Sequence, residues 1–329
     1  MLRWIFRPTF LTLLFAGVLL PTFFAAKAAA QGRCESTFVT SESFVDEKLE
    51  KQIAEFLKSE RGTARTFGAA SRIRLHRDSQ GRILKRPVVL MFHGLLNNPA
   101  FFHHFENRVY DSGSHVFNIR LPGHHETNAR ALDFATRDQW IQRSREAMVM
   151  ASGLRAKVSL VGHSLGGLLS ARLAKDFSFY VERVLLLAPS FDLSANTKRK
   201  VKVTTSVGLS GWILGRPEKA ERYMSTWGGA EVNKLGDETV DRRDLSVPSI
   251  RARLAQLLKV PVLWVDTGND SSIDLRTNGA VAAALATDNS DFKRVLIPRS
   301  EKLKHNQLGQ FRHDFQSDLE TTLLDFLSH

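Results

Sequence analysis

Short runs of branched apolar residues recur along this chain, separated by longer segments in which apolar positions return every three or four residues. The runs at 88–92, 116–121, 158–161, 184–188, 262–265 and 295–297 are mostly apolar on both faces, the pattern of strands buried in a parallel sheet. Between them the spacing predicts helices over 138–152, 165–175, around 280–286 and over 314–327. Ahead of the first run, 46–60 places Leu49, Ile53, Phe56 and Leu57 on one helix face. Segments 72–76 and 82–84 flank Asp78-Ser79-Gln80-Gly81, which suits a type I turn or small hairpin loop. Strand and helix in alternation predict an α/β fold, a doubly wound and mostly parallel sheet with right-handed crossovers. One interval breaks the rhythm. From Phe191 to Lys259 there is no core strand, and so long a connection reads as an inserted cap or lid. The expected organisation is a helical leader at 31–70, a core at 71–190 and 260–329, and a cap at 191–259.

The N-terminus reads differently. Arg3 and Arg7 precede an apolar run from Thr9 to Leu20, followed by Pro21 and by Ala25-Ala26-Lys27-Ala28-Ala29-Ala30. A basic start, a short apolar stretch and an Ala-x-Ala site make a signal peptide over 1–30, so the chain is expected to be exported, periplasmic or secreted. The rival is a retained anchor, but Pro21 and Lys27 interrupt the run before the roughly 20 apolar residues that a spanning helix needs.

Composition narrows the class. Of 329 residues 43% are hydrophobic and 24% charged, which excludes a disordered polar chain, a collagen-like repeat and a polytopic membrane protein. The single Cys34 cannot form an internal disulfide. Net charge is +12, and positive charge on an exported protein makes an anionic membrane surface a candidate partner. No run of five or more like charges appears and no motif points to nucleic acid. Within the cap interval, Lys198, Arg199, Lys200 and Lys202 precede Val207, Leu209, Trp212, Ile213 and Leu214. These residues read either as a lid with a basic rim at a lipid interface or as an ordinary cap with a solvated edge.

Chemistry concentrates at Gly162-His163-Ser164-Leu165-Gly166. A buried strand enters this Gly-x-Ser-x-Gly and a helix leaves it, the context in which a serine sits on a sharp turn with its hydroxyl presented as a nucleophile. Gly162 and Gly166 are needed because a Cβ at either would crowd the turn. The helix N-terminus beside Ser164 offers backbone N–H groups and a positive dipole end to a developing oxyanion. Adjacent histidines at His103-His104 and His124-His125 do not converge on one point, so no metal site is expected.

On these residues the chain resembles the α/β-hydrolase family, in particular its single-domain esterases and monoacylglycerol-lipase-like members, over about Ile73 to Leu327. Pro87-Val88-Val89-Leu90-Met91-Phe92-His93-Gly94-Leu95-Leu96 is similar to the family's third strand with its oxyanion loop. Leu121-Pro122-Gly123-His124-His125 resembles the loop after the fourth strand, with His125 in place of the family's final Gly. The resemblance implies an oxyanion hole from the N–H groups of Leu95 and Leu165, and a triad in the order Ser, acid, His. It implies His93 as an organiser of its loop, and His163 as a residue packed near the elbow. For the base, His305 and His313 both follow the last strand; His305 lies in the loop and His313 where the final helix begins, which favours His305. For the acid, Val265-Asp266-Thr267-Gly268-Asn269-Asp270 resembles the family's seventh strand and Gly-x-Asp turn, which favours Asp270. Asp192 is the alternative acid, and Asp266 and Asp274 suit turn or capping roles.

The expected function is therefore hydrolysis of a small-molecule carboxylic ester of acyl or lipid type by Ser164, His305 and Asp270, with no cofactor or metal. Thioesterase, amidase, peptidase or acyltransferase chemistry on the same fold is the enzymatic alternative. A non-catalytic lipid-binding protein is the alternative of another class.

Overall fold

The computed structural model describes residues 43–44, 46–64, 67–128, 130–206, 225–257, 259–310 and 315–328. In chain order the elements are β1 (Ser43–Phe44), α1 (Glu47–Arg61), β2 (Arg72–Arg74), β3 (Ile83–Leu84), β4 (Val88–Phe92), α2 (His103–Asp111), β5 (His115–Ile119), α3 (Arg137–Ser152), β6 (Val158–His163), α4 (Leu165–Asp176), β7 (Val181–Leu187), α5 (Ala195–Ser206), α6 (Thr226–Thr239), α7 (Val247–Leu254), β8 (Val262–Thr267), α8 (Leu275–Asp288), β9 (Phe292–Ile297) and α9 (Phe315–Ser328). The expected signal segment, Cys34, the stretch from Val207 to Leu214, His313 and His329 lie outside the described residues.

Seven strands form one sheet in the order β2-β5-β4-β6-β7-β8-β9. Only β2 runs antiparallel to its neighbour; β4 through β9 are parallel throughout. From β4 the chain passes first to β5 on one side and then to β6 on the other. The loops leaving β4 and β6 therefore part at their carboxyl ends, where open parallel sheets form a crevice. The register pairs Phe92 with Gly162, so His93-Gly94 and His163-Ser164 emerge side by side.

Alternation along each strand serves two cores. Val88, Leu90 and Phe92 of β4 face a cluster with Leu49 and Ile53 of α1, Trp140 and Met148 of α3, Leu168 of α4 and Val281 of α8. Val89 and Met91 face a second cluster with Phe105 and Val109 of α2 and Leu319 and Leu323 of α9. Helices thus cover both faces, which is why β4, at the middle of the sheet, carries an apolar residue at every position.

Three expectations need adjustment. The segments flanking residues 78–81 meet across the expected small hairpin loop in one antiparallel bridge, Arg77 to Ile83, while the strands themselves pair elsewhere, β2 with β5 and β3 with β1. Their turn is still closed, by Gly81 N donating to Asp78 O at 3.0 Å and Leu84 N to His76 O at 2.9 Å. β9 begins earlier than its apolar run, because an edge strand leaves Lys293 and Arg294 exposed to water. α2, not expected from the sequence, is amphipathic through Phe105 and Val109. The interval 191–259 contributes helices α5, α6 and α7 and no strand among its described residues.

Candidate active site

β6 delivers the chain to Ser164 in a conformation of φ 54° and ψ −114°. A non-glycine residue there carries strain of order 1–3 kcal/mol, so the surroundings must hold it. Ser164 N donates to Leu187 O at 2.9 Å, and Ser164 O accepts from Gly167 N at 2.9 Å and Ser190 N at 3.2 Å. Close backbone approach explains the flanking glycines. A Cβ on Gly162 would overlap the Gly166 carbonyl, and one on Gly166 would overlap the carbonyl of Phe92 in β4. α4 can start against two strand ends only if both positions lack side chains.

The structure brings His305 and Asp270 to this turn from more than a hundred residues away. His305 Nδ1 lies 2.6 Å from Asp270 Oδ2, and its Nε2 lies 2.9 Å from Ser164 Oγ. Because an ionised carboxylate only accepts, Nδ1 carries the proton of the neutral ring, which leaves Nε2 to accept from the serine hydroxyl. Asp270 is itself oriented: its Oδ1 accepts from Ser272 N at 2.8 Å and Ile273 N at 3.2 Å. The loop bearing His305 is tied to the end of β8, where the Thr267 hydroxyl donates to Leu303 O at 2.7 Å.

The other candidate acids are engaged elsewhere. Asp192 is buried and bound by Arg242 and by Lys198 Nζ at 2.7 Å, with the Thr277 hydroxyl at 3.4 Å. It thereby joins α5 and the α6–α7 connection to α8. Asp266 is paired with Arg294 at 2.6 Å, and Asp274 caps α8 by accepting from Arg276 N at 3.0 Å. His104 meets Glu320 at 3.1 Å and His103 meets Arg72. Among the described residues no group of three or more His, Cys, Asp and Glu is arranged to hold a metal, and no helix is long and apolar enough to cross a membrane.

Of the two residues expected to supply oxyanion donors, Leu95 follows Gly94 on the wall of the cavity that Ser164 faces. Leu165 is the first residue of α4, where an amide precedes the helix's own hydrogen-bond ladder. Three buried histidines frame these loops, and each carries its proton where a carbonyl accepts it. His93 donates from Nδ1 to Gly94 O at 2.8 Å and accepts at Nε2 from Leu121 N at 3.1 Å, linking the β4 and β5 loops. His124 donates from Nδ1 to Pro122 O at 3.0 Å, and His163 from Nε2 to the carbonyl of His305 at 3.0 Å. Burial, reinforced by neighbouring imidazoles, holds His93 and His163 well below the usual 6.5, and burial lowers His124 to about 4.

The cavity above Ser164 has a volume of about 750 Å³, within the range of small-molecule sites. Leu132, Leu193, Val201, Val232 and Ile273 form apolar wall, and Asn128, Lys200 and Gln310 add polar groups. α5 and α6 supply one side of it, through residues that the sequence reading named only in part. Ser190, whose Oγ lies 3.4 Å from Ser164 Oγ, was not legible either; a serine after a strand carries no signal of its own.

A model of the α/β hydrolase family matches residues 89–300, more than half of the chain. The chain belongs to the α/β hydrolase family. Among solved structures, monoglyceride lipase from Saccharomyces cerevisiae, in a soluble variant, superposes with a TM-score of 0.58 at 12% identity, covering 78% of this chain and 96% of that one. A monoacylglycerol lipase from Paleococcus ferrophilus gives 0.54 at 17% identity, covering 78% and 97%. A carboxylesterase structure from Nitrososphaera gargenis gives 0.52 at 11% identity, covering 81% and 98%. At such identities the likeness is one of fold. No curated protein matches the chain significantly in sequence.

One departure from the α/β hydrolase pattern is absorbed locally. His125, where the resemblance calls for glycine, adopts φ 48°, a left-handed conformation that histidine enters more readily than most side chains.

Two outcomes follow from this geometry. Gly166→Ala drives a Cβ into the Phe92 carbonyl and is expected to destabilise the fold by about 3 kcal/mol or more, read as a lowered urea midpoint; an unchanged midpoint contradicts the close approach. The buried histidines set a pH dependence. His115 too is lowered to about 4 by burial. Below the unfolded value of about 6.5 the unfolded chain takes up protons that the folded rings do not, so stability is complete above it and falls as pH drops, by up to about 1.4 kcal/mol per pH unit per ring. Urea unfolding at about pH 7.5 and about pH 5.5 is expected to give the lower midpoint at the acid value; an equal or higher one contradicts neutral buried rings.

Proposed function

We propose that this chain is an exported serine hydrolase that cleaves small-molecule carboxylic esters of acyl or lipid type through an acyl-enzyme. The observation that carries the reading is the contiguous line from Asp270 through His305 to Ser164, with separations of 2.6 and 2.9 Å. A serine hydroxyl is a weak nucleophile until a neutral imidazole accepts its proton, and Nε2 of His305 is free of its own proton on the side that faces Ser164.

Ser164 Oγ attacks the ester carbonyl carbon while its proton passes to His305 Nε2. The carbonyl oxygen takes up the negative charge and is held by the N–H groups of Leu95 and Leu165. Asp270 stabilises the imidazolium through Nδ1–H and keeps the ring in register. The imidazolium then protonates the departing alkoxide, the carbon–oxygen bond to the alcohol breaks, and an acyl group remains on Ser164. Water repeats the sequence: its proton goes to Nε2, its oxygen attacks the acyl carbon, and the proton returns to Ser164 Oγ as the carboxylic acid leaves. Every proton moves among these side chains, water and substrate, so the cycle calls for no metal or cofactor. Leu132, Val201, Val232 and Ile273 offer an apolar wall to an acyl chain. Export is supported by Arg3, Arg7, the apolar run from Thr9 to Leu20 and the Ala28–Ala30 segment.

The test is turnover of a series of p-nitrophenyl esters of increasing chain length by the purified protein and by Ser164→Ala. Wild type is expected to hydrolyse them, and the variant to lose about 10⁴-fold or more in kcat while remaining folded. Ester turnover by Ser164→Ala at the wild-type rate would overturn the reading. Thioester or amide turnover well above ester turnover would transfer it to the related chemistries.

A further inference from the structure

We propose that His163, the residue before the candidate nucleophile, is a positioning residue that holds the imidazole of His305 against Ser164 through the main chain. The inference rests on the reading of Ser164, His305 and Asp270 as the reacting line.

The evidence begins with what His163 touches. Its side chain is fully buried at the end of β6, and its Nε2 lies 3.0 Å from the carbonyl oxygen of His305. A carbonyl only accepts, so Nε2 carries the proton and the bond joins the end of β6 to a residue 142 positions away in sequence. The other ring nitrogen, Nδ1, is buried without a hydrogen-bond partner. Leaving a buried polar atom unpaired costs about 1–3 kcal/mol. An apolar side chain of similar volume would fill the space without that cost, so packing alone does not explain a histidine here. What the imidazole adds is the single N–H directed at His305.

The geometry gives that N–H unusual leverage. Asp270 fixes the rotation of the His305 ring from one side, at 2.6 Å from Nδ1. It does not fix how far the His305 backbone stands from the elbow. The bond from His163 does, because His163 and Ser164 are adjacent: one neighbour holds the His305 carbonyl at 3.0 Å while the other meets its Nε2 at 2.9 Å. The contacts close a small ring through both residues, so the serine-to-imidazole separation is set locally rather than by the length of the loop.

His163 is itself held still. Phe101 lies over it with ring centroids 4.5 Å apart. On another side a Cβ on Gly94 would come within 2.7 Å of His163 Nδ1, so the oxyanion loop approaches the ring as closely as glycine permits. The His305 ring stands 4.8 Å away, centroid to centroid. Burial first, and then the nearby His305, hold the His163 ring well below the ordinary histidine range. It therefore stays neutral, with Nε2–H in place, when His305 becomes an imidazolium.

The experiment compares three substitutions with wild type on one soluble p-nitrophenyl ester. His163→Leu removes the donor and is expected to lower kcat about 100-fold, with KM changed by no more than about twofold. His163→Gln, whose side-chain amide reaches about as far as Nε2, is expected to keep kcat within about fivefold of wild type. Should the Leu variant fail to fold, His163→Asn takes its place: polar, but too short to reach the carbonyl, with the same loss expected. Full kcat in the Leu or Asn variant, or equal losses in the Gln variant and the donor-free one, overturns the proposal. An independent readout needs no turnover. Nitrogen-15 spectra of histidine-labelled wild type are expected to show His163 as the Nε2–H tautomer from about pH 8 to about pH 5.5, and an Nδ1–H tautomer overturns the tie. Failure of the catalytic reading appears separately, as a wild type that turns over no ester while His163 still shows the Nε2–H form.

Discussion

The molecule depends on a serine held at φ 54° where a buried strand becomes a helix. An isolated chain would relax that residue, so the fold must enforce it. It does so by crowding: α4 starts against the ends of β6 and β4, and only the missing side chains of Gly162 and Gly166 allow the approach. Strain at one residue is offset by the burial of two whole strands that feed it, each closed to water along its length.

Everything else at the site is carried to that point by loops leaving the same edge of the sheet. β4 supplies Gly94 and Leu95, β8 leads to Asp270, and β9 to His305. Such loops would hold side chains loosely if left to themselves. Here they are joined crosswise by buried hydrogen bonds: His93 accepts from Leu121 N and so ties the β4 loop to the β5 loop, the Thr267 hydroxyl ties the β8 edge to the segment before His305, and the His163 N–H ties the elbow to His305. Their burial keeps the imidazoles neutral, so His93 both donates to Gly94 O and accepts from Leu121 N, and His163 keeps its N–H on the His305 carbonyl. Asp192 performs a comparable task further out, where Lys198 and Arg242 bind the helices of 191–259 to the core.

Much of this was legible in the sequence because the central strands have no polar face to hide. Val88–Phe92 is readable to the residue, and the Gly-x-Ser-x-Gly turn is recognisable because its neighbours are a strand and a helix. Legibility falls where burial falls: Lys293 and Arg294 mask the first half of β9, an edge strand. It also falls where partners are distant. The resemblance to a family Gly-x-Asp turn favoured Asp270 over Asp192, but nothing local to Asp192 announces Arg242, and nothing beside His163 announces the carbonyl of His305. Hydrogen bonds across folded loops leave no periodicity to read. α2 is the opposite case, since Phe105 and Val109 repeat at helical spacing in the sequence itself and both are buried in the helix.

The most direct measurement is the site of covalent capture by a fluorophosphonate, found by mass spectrometry of tryptic peptides. The account predicts a single adduct on Ser164, in the peptide running from Val158 to Arg172, and its disappearance in His305→Ala. An adduct on another serine, or capture of Ser164 undiminished without His305, would contradict it.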